Sequence, residues 1–166
     1  WSARRNFQTV HYDNRYWVIG GETPAGLAKD VWNSVDGVTW NQVATTTPFG
    51  NYIYYKSIVF NNKIYVIGGK ESPSSTAFAK VWSTTDGINW TTTTLPFKDR
   101  ENPTLGVANN KLFVIGGVET VGAQSDTWST TDGINWIQMN YFPINISNGK
   151  ILRFTDDYYF IGGTKW

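Results

Sequence analysis

Four Gly-Gly pairs, Gly20-Gly21, Gly68-Gly69, Gly116-Gly117 and Gly162-Gly163, stand 48, 48 and 46 residues apart. Each closes an apolar, strand-like run: 15–19, 63–67, 111–115 and 158–161. A period of this length marks a repeat architecture, in which one supersecondary unit recurs and neighbouring units bury each other's apolar faces. Repetition also bears on function. A residue present in every copy is explained by the shared scaffold before it is explained by a single active site.

The middle unit shows the pattern. Ser57-Ile58-Val59-Phe60 is a short apolar run, and Asn61-Asn62 supplies a two-residue turn that tolerates positive φ. Lys63–Ile67 is β-branched and aromatic on both faces, as in a strand sandwiched between sheets. After Gly68-Gly69, the sequence predicts a third strand over 80–85, an Asp86-Gly87 hairpin and a fourth strand over 89–93. Equivalent two-residue turns fall at Asp13-Asn14, Asn109-Asn110 and Asp156-Asp157. The second hairpin recurs three times, with Trp32, Asp36-Gly37 and Trp40, then Trp82, Asp86-Gly87 and Trp90, then Trp128, Asp132-Gly133 and Trp136. The glycines end strands where backbone freedom is needed. The tryptophans are expected to fill the space between units, each indole N–H meeting a carbonyl. No stretch carries a helical period, so the fold class is all-β.

Composition excludes several functions. A net charge of +1 gives no basic field for nucleic acid, and no apolar run reaches the 18 residues of a membrane helix. Cysteine is absent, which removes thiolate chemistry and cysteine-based zinc sites. One carboxylate per Asp-Gly turn falls short of a calcium cage. Neither a metal nor a cofactor is therefore expected. Aromatic richness, sparse charge and abundant Thr and Asn lean toward an extracellular or cell-surface setting.

A strand ending in Gly-Gly, then Trp, Asp-Gly and a second Trp, resembles the kelch repeat of β-propellers. The Trp-Ser-Thr-Thr-Asp-Gly-Ile-Asn-Trp form is similar to the bacterial variety of that repeat. A sialidase Asp-box is set aside because its Asp and Gly are separated by one residue, whereas here they adjoin. The resemblance implies a propeller of four-stranded antiparallel blades, incomplete in this chain, over 1–45, 46–95 and 96–141 with a half blade over 142–166. Propellers have about four to eight blades. The missing blades are expected from a longer parent chain or from further copies of the same chain. The only methionine, Met139, is internal, which also fits a processed or excised segment.

Function in such a scaffold should lie where the copies differ. The variable segments 22–29, 70–80 and 118–125, together with 43–55, 93–104 and 139–147, should share one end of the blades. Aligning the copies on Gly-Gly makes Arg4, Tyr52, Arg100 and Ile146 equivalent, with Arg5, Ile53 and Glu101 beside them. With Tyr54 and Lys98, these are the candidate ligand residues. Two arginines and a tyrosine at a channel mouth suit a carboxylate, an acidic peptide or a sugar. The bland alternative is that Arg4 and Arg100 pair with nearby acids. His11 has no triad or metal partner by motif. Two glycosylation patterns occur, Asn89-Trp90-Thr91 and Asn145-Ile146-Ser147.

The expected function is a non-enzymatic binding or scaffold module facing a protein or glycan, without nucleic acid or membrane insertion. Kelch-like propellers also resemble sugar-handling enzymes. The copper-oxidase type needs a Tyr-Cys cofactor, absent here. An epimerase-like site built on Arg4, Arg100 and Glu101 is the enzymatic alternative, and a structural repeat of a surface assembly is the third.

Overall fold

The structure is a computed structural model describing residues 1–71, 80–98, 100–119, 122–154 and 157–165. All elements among these residues are strands. The first sheet contains β1 (Gln8–Tyr12), β2 (Arg15–Ile19), β5 (Val31–Ser34) and β6 (Asn41–Ala44), with a small hairpin, β3 (Glu22–Thr23) and β4 (Gly26–Leu27), inserted before the third strand. The second contains β8 (Lys56–Phe60), β9 (Lys63–Ile67), β11 (Lys80–Thr84) and β12 (Thr91–Thr94), and short β7 (Tyr52–Ile53) and β10 (Lys70–Glu71) pair above it. The third contains β13 (Thr104–Ala108), β14 (Lys111–Glu119), β15 (Gly122–Thr130) and β16 (Ile137–Gln138). A hairpin of β17 (Ile146–Phe154) and β18 (Asp157–Lys165) follows. Every pairing is antiparallel between neighbours in the meander, and the molecule is a β-propeller with an open ring.

The first hairpin of each unit forms as the residue types require. Asp13-Asn14, Asn61-Asn62 and Asn109-Asn110 all hold φ between +44° and +56°, the conformation of a type I′ turn, which asparagine and aspartate accept more readily than other side chains. In the last hairpin Phe154 pairs with Asp157. Asp157 therefore belongs to β18 rather than to the turn, and Asp156 lies outside the described residues.

The second hairpin differs from expectation. Asn33 pairs with Asn41 and Ser83 with Thr91, so Asp-Gly does not close a two-residue turn. It opens a longer loop, and Trp40, Trp90 and Trp136 belong to that loop rather than to the fourth strand. The loop is organised by its own side chains. Asp86 Oδ1 accepts the backbone N–H of Ile88 and of Asn89, each at 2.8 Å. Thr84 Oγ1 donates to Asp86 at 2.9 Å and accepts the N–H of Gly87. Asp36 with Ser34, and Asp132 with Thr130, repeat the arrangement. These hydrogen bonds hold all three carboxyls well below the usual range. For Asp86 the Asn89 amide contributes most, and for Asp36 and Asp132 the backbone N–H of Thr39 and of Asn135 do. A second departure concerns 118–125, expected as loop, where β14 and β15 continue through a bulge between Ile115 and Gly117.

The core lies between sheets. Tyr12, Trp17, Ile19, Phe49, Tyr55, Ile64, Val66 and Trp82 fill the space between the first and second. Phe60, Tyr65, Ile67, Phe97, Leu105, Leu112, Val114 and Trp136 fill that between the second and third. Contact is close enough that a Cβ on Gly87 would sit 2.5 Å from Trp17, and one on Gly133 would sit 2.3 Å from the Tyr65 hydroxyl. A ring residue on one sheet thus seats against the Asp-Gly loop of the next. Innermost strands β1, β8, β13 and β17 lie side by side along the axial wall.

Candidate functional site

The segment preceding each innermost strand pairs with the segment following each Gly-Gly. Arg5 bridges Glu22, Ile53 pairs with Lys70, Glu101 bridges Val118, and Ser147 pairs with Thr164. This register brings the two sets of variable segments to one end of the blades and makes Arg4, Tyr52, Arg100 and Ile146 structurally equivalent.

Their side chains, however, turn into the blades and not toward the channel mouth. The Arg4 and Arg100 side chains are each only 1% exposed. Arg4 Nη1 donates to Asp30 Oδ1 at 2.6 Å and to the Gly20 carbonyl at 2.9 Å, and Nη2 donates to Asp30 Oδ2 at 3.1 Å. Arg100 forms the same fork on Asp126, bonds the Gly116 carbonyl at 2.9 Å, and reaches Glu119 at 3.3 Å. Trp32 and Trp128 donate their indole N–H to the same two carboxylates, each at 2.7 Å. Burial by itself pushes Asp30 and Asp126 up, but the arginine and tryptophan hydrogen bonds and the arginine charge outweigh it and leave both below the ordinary range. These arginines have no free fork for a ligand. Tyr52 packs its ring 5.1 Å from Trp82, and Ile146 is buried.

The clamp was only half legible. Sequence alignment found the arginines and missed the acids, although Asp30 and Asp126 each stand 26 residues after their arginine. The middle unit has Tyr52 and Lys80 at these places, which obscured the pattern. A second missed repeat is Trp1, Phe49 and Phe97, at 48-residue spacing. Each packs on the loop tryptophan of its own unit, at ring distances of 5.6, 4.8 and 5.8 Å from Trp40, Trp90 and Trp136. The indole N–H expectation holds for Trp40 and Trp90, which donate to Gly37 and Gly87 carbonyls. Trp32 and Trp128 use carboxylates instead, and Trp136 Nε1 is buried with no partner among the described residues.

The remaining candidates stay at the loop end. Arg5, 80% exposed, contacts Glu22 at 3.2 Å, and Asn6 donates to the same carboxylate at 2.8 Å. Glu101 pairs with Lys70 at 2.9 Å, and the Lys70 ammonium lies 5.4 Å from the centre of the Tyr54 ring. Lys98 is exposed, and its carbonyl accepts Arg100 Nε at 3.3 Å. Tyr54 itself is unusual. It holds φ +63°, while its equivalents Asn6, Asn102 and Asn148 hold +56°, +48° and +58°. Backbone hydrogen bonds stitch the units here, from the Asn102 N–H to the Tyr54 carbonyl and from the Asn148 N–H to the Asn102 carbonyl.

Below this rim, a trough of about 570 Å³ runs along the axial wall, lined in part by Gln8, His11, Lys56, Ser57, Asn148 and Lys150. The His11 and Tyr16 rings lie 5.2 Å apart, tilted by 58°. Of the glycosylation patterns, Asn89 spends its amide on Asp86, while Asn145 is exposed.

Among solved structures, that of YjhT matches with a TM-score of 0.78 over 96% of this chain, at 16% identity. The chain spans 59% of that structure's length, and at this identity the likeness speaks to fold alone. No curated protein matches the chain in sequence. The family described as the DUF6242 beta propeller domain matches residues 6–138, most of the chain and all three four-stranded sheets, and the chain belongs to that family.

Proposed function

We propose that this protein is a non-enzymatic binding module whose long-loop face recognises a protein or glycan partner. The observation that carries this reading is Tyr54. A tyrosine in the left-handed region costs about 1–2 kcal/mol of backbone energy, and three sister positions avoid most of that cost with asparagine. Nothing in the repeated scaffold requires the tyrosine. Beside it stand Lys70 and Glu101, and Arg5, Glu22 and Asn6 form a second polar group on the same face. A flat amphipathic ring beside donors and acceptors suits a sugar face or an extended peptide. The arginines that an epimerase-like site would use are committed to Asp30 and Asp126, which favours binding over catalysis. In this reading further blades, from a longer polypeptide or another copy, cover the apolar trough at the β1–β2 flank lined by Trp1, Phe7, Val10, Trp17 and Trp40.

The test is Tyr54→Asn, assayed by urea denaturation and on glycan and peptide arrays. Stability should rise by up to about 1 kcal/mol, and array binding seen with the parent protein should disappear. Binding that survives the substitution, or that is lost on altering the short turns at the opposite end, would place recognition elsewhere. Turnover of any member of a sugar panel would replace this reading with an enzymatic one.

A further inference from the structure

Among the described residues, the axial trough carries cations without anions. Its described lining residues include Lys56 and Lys150, on innermost strands β8 and β17, and contain no aspartate or glutamate. On the loop rim, Glu22 is engaged by Arg5 and Asn6, and Glu101 by Lys70. Lys56 is only partly exposed, and its ammonium donates to the Asn148 amide oxygen at 2.7 Å, reaching from the second unit to the last. It has no ion pair among the described residues. Taking an ammonium partly out of water with a neutral acceptor alone is unfavourable, and burial accordingly lowers its pKa. Beside it, the Ser57 hydroxyl is buried with no partner among the described residues. Gln8, which accepts the Ser57 N–H at 3.3 Å, and Thr9 add further polar atoms to the same wall.

A concave space of this size, with a few convergent polar groups on a rigid sheet framework, has the form of a small-molecule site. Its charge selects the ligand. We infer that the axial trough binds a small organic or inorganic oxyanion between Lys56 and Lys150, with Thr9 and Asn148 as neutral hydrogen-bonding partners. Carboxylate and phosphate share the necessary chemistry: compact negative oxygens that accept from ammonium, hydroxyl and amide donors. Such a ligand supplies the counter-charge Lys56 lacks, and does so in a setting less screened than the open surface. This site is separate from the Tyr54 rim and does not depend on partner recognition there.

Calorimetric titration of the protein with citrate and, separately, with inorganic phosphate tests the inference, with xylitol as the uncharged control. The expected result is saturable binding of at least one anion and none of xylitol. Citrate alone would mark a carboxylate site and phosphate alone a phosphate site. Lys56→Gln should weaken binding by about tenfold or more, and Lys150→Gln by several-fold. Lys63→Gln, at an exposed strand start outside the trough, should leave it unchanged. Lys150 is exposed, so its substitution keeps the test valid even where Lys56→Gln perturbs folding. Resonances of the Lys56 side chain should also titrate at higher pH when the anion is present. No saturation by either anion up to about 10 mM, or an equal loss in Lys63→Gln, overturns the site.

Discussion

Arg100 is among the most deeply buried of the described residues; the sequence offers it both as a ligand contact and as one half of an ion pair with a nearby acid, and the structure shows the pair, with Asp126. Residue type and repeat position pointed to a donor fork. They did not reveal that the fork is satisfied by Asp126, the Gly116 carbonyl and the face of Phe97, whose ring centre lies 4.6 Å away. Removing one partner of such a pair leaves a poorly hydrated charge behind. Arg100→Ala should therefore cost about 3–5 kcal/mol, measured by chemical denaturation, whereas Arg5→Ala, on an 80% exposed side chain, should stay within about 0.5 kcal/mol. Equal costs would mean that Asp126 is readily rehydrated and the clamp contributes little. At this scale the sequence identified which positions are equivalent. It could not say which way a side chain points, because period and spacing carry no information about rotamers.

The strand-and-turn elements were more legible, and for a physical reason. A two-residue I′ turn demands positive φ at both positions, and Asn-Asn or Asp-Asn pairs at fixed distance from Gly-Gly announce it. The Asp-Gly signal misled because the same dipeptide serves two geometries. Here the carboxylate gathers backbone N–H groups two and three residues ahead, so the loop lengthens and the following tryptophan leaves the strand. Because these hydrogen bonds depress the folded-state pKa, their stabilisation is fully present above the carboxyl's unfolded pKa. It is lost as pH falls through the lower folded value. The prediction is that Asp86→Ala lowers Tm by a constant amount between neutral pH and about pH 5, and that the gap to the parent protein closes steadily below about pH 4. Calorimetric scans across that range check it; a gap that widens on acidification would show that Asp86 acts by something other than its charge.

Across the whole molecule, cohesion comes from the seams between sheets, where Trp17 meets Gly87 and Tyr65 meets Gly133. Gly87→Ala must both hold φ +73° and displace Trp17. It should cost about 2–4 kcal/mol from strain and overpacking together, with a change in the near-ultraviolet signal of tryptophan. Gly162→Ala, at φ +72° with nothing within 4 Å, carries the same backbone strain without the overlap and should cost less and leave that signal alone. Similar losses in both would mean the seam relaxes around an added methyl.

By itself the sequence determined the period, the number of strands per unit, the first turn of each of the first three units and the all-β class, because those depend on local φ preference and on alternation that recurs with the repeat. Tertiary structure alone decided which charges are spent inside the blades, which remain on the rim, and that two lysines face a trough with no acid among its described lining residues. Those outcomes depend on residues 26 to 92 positions apart meeting in space, which no local pattern encodes.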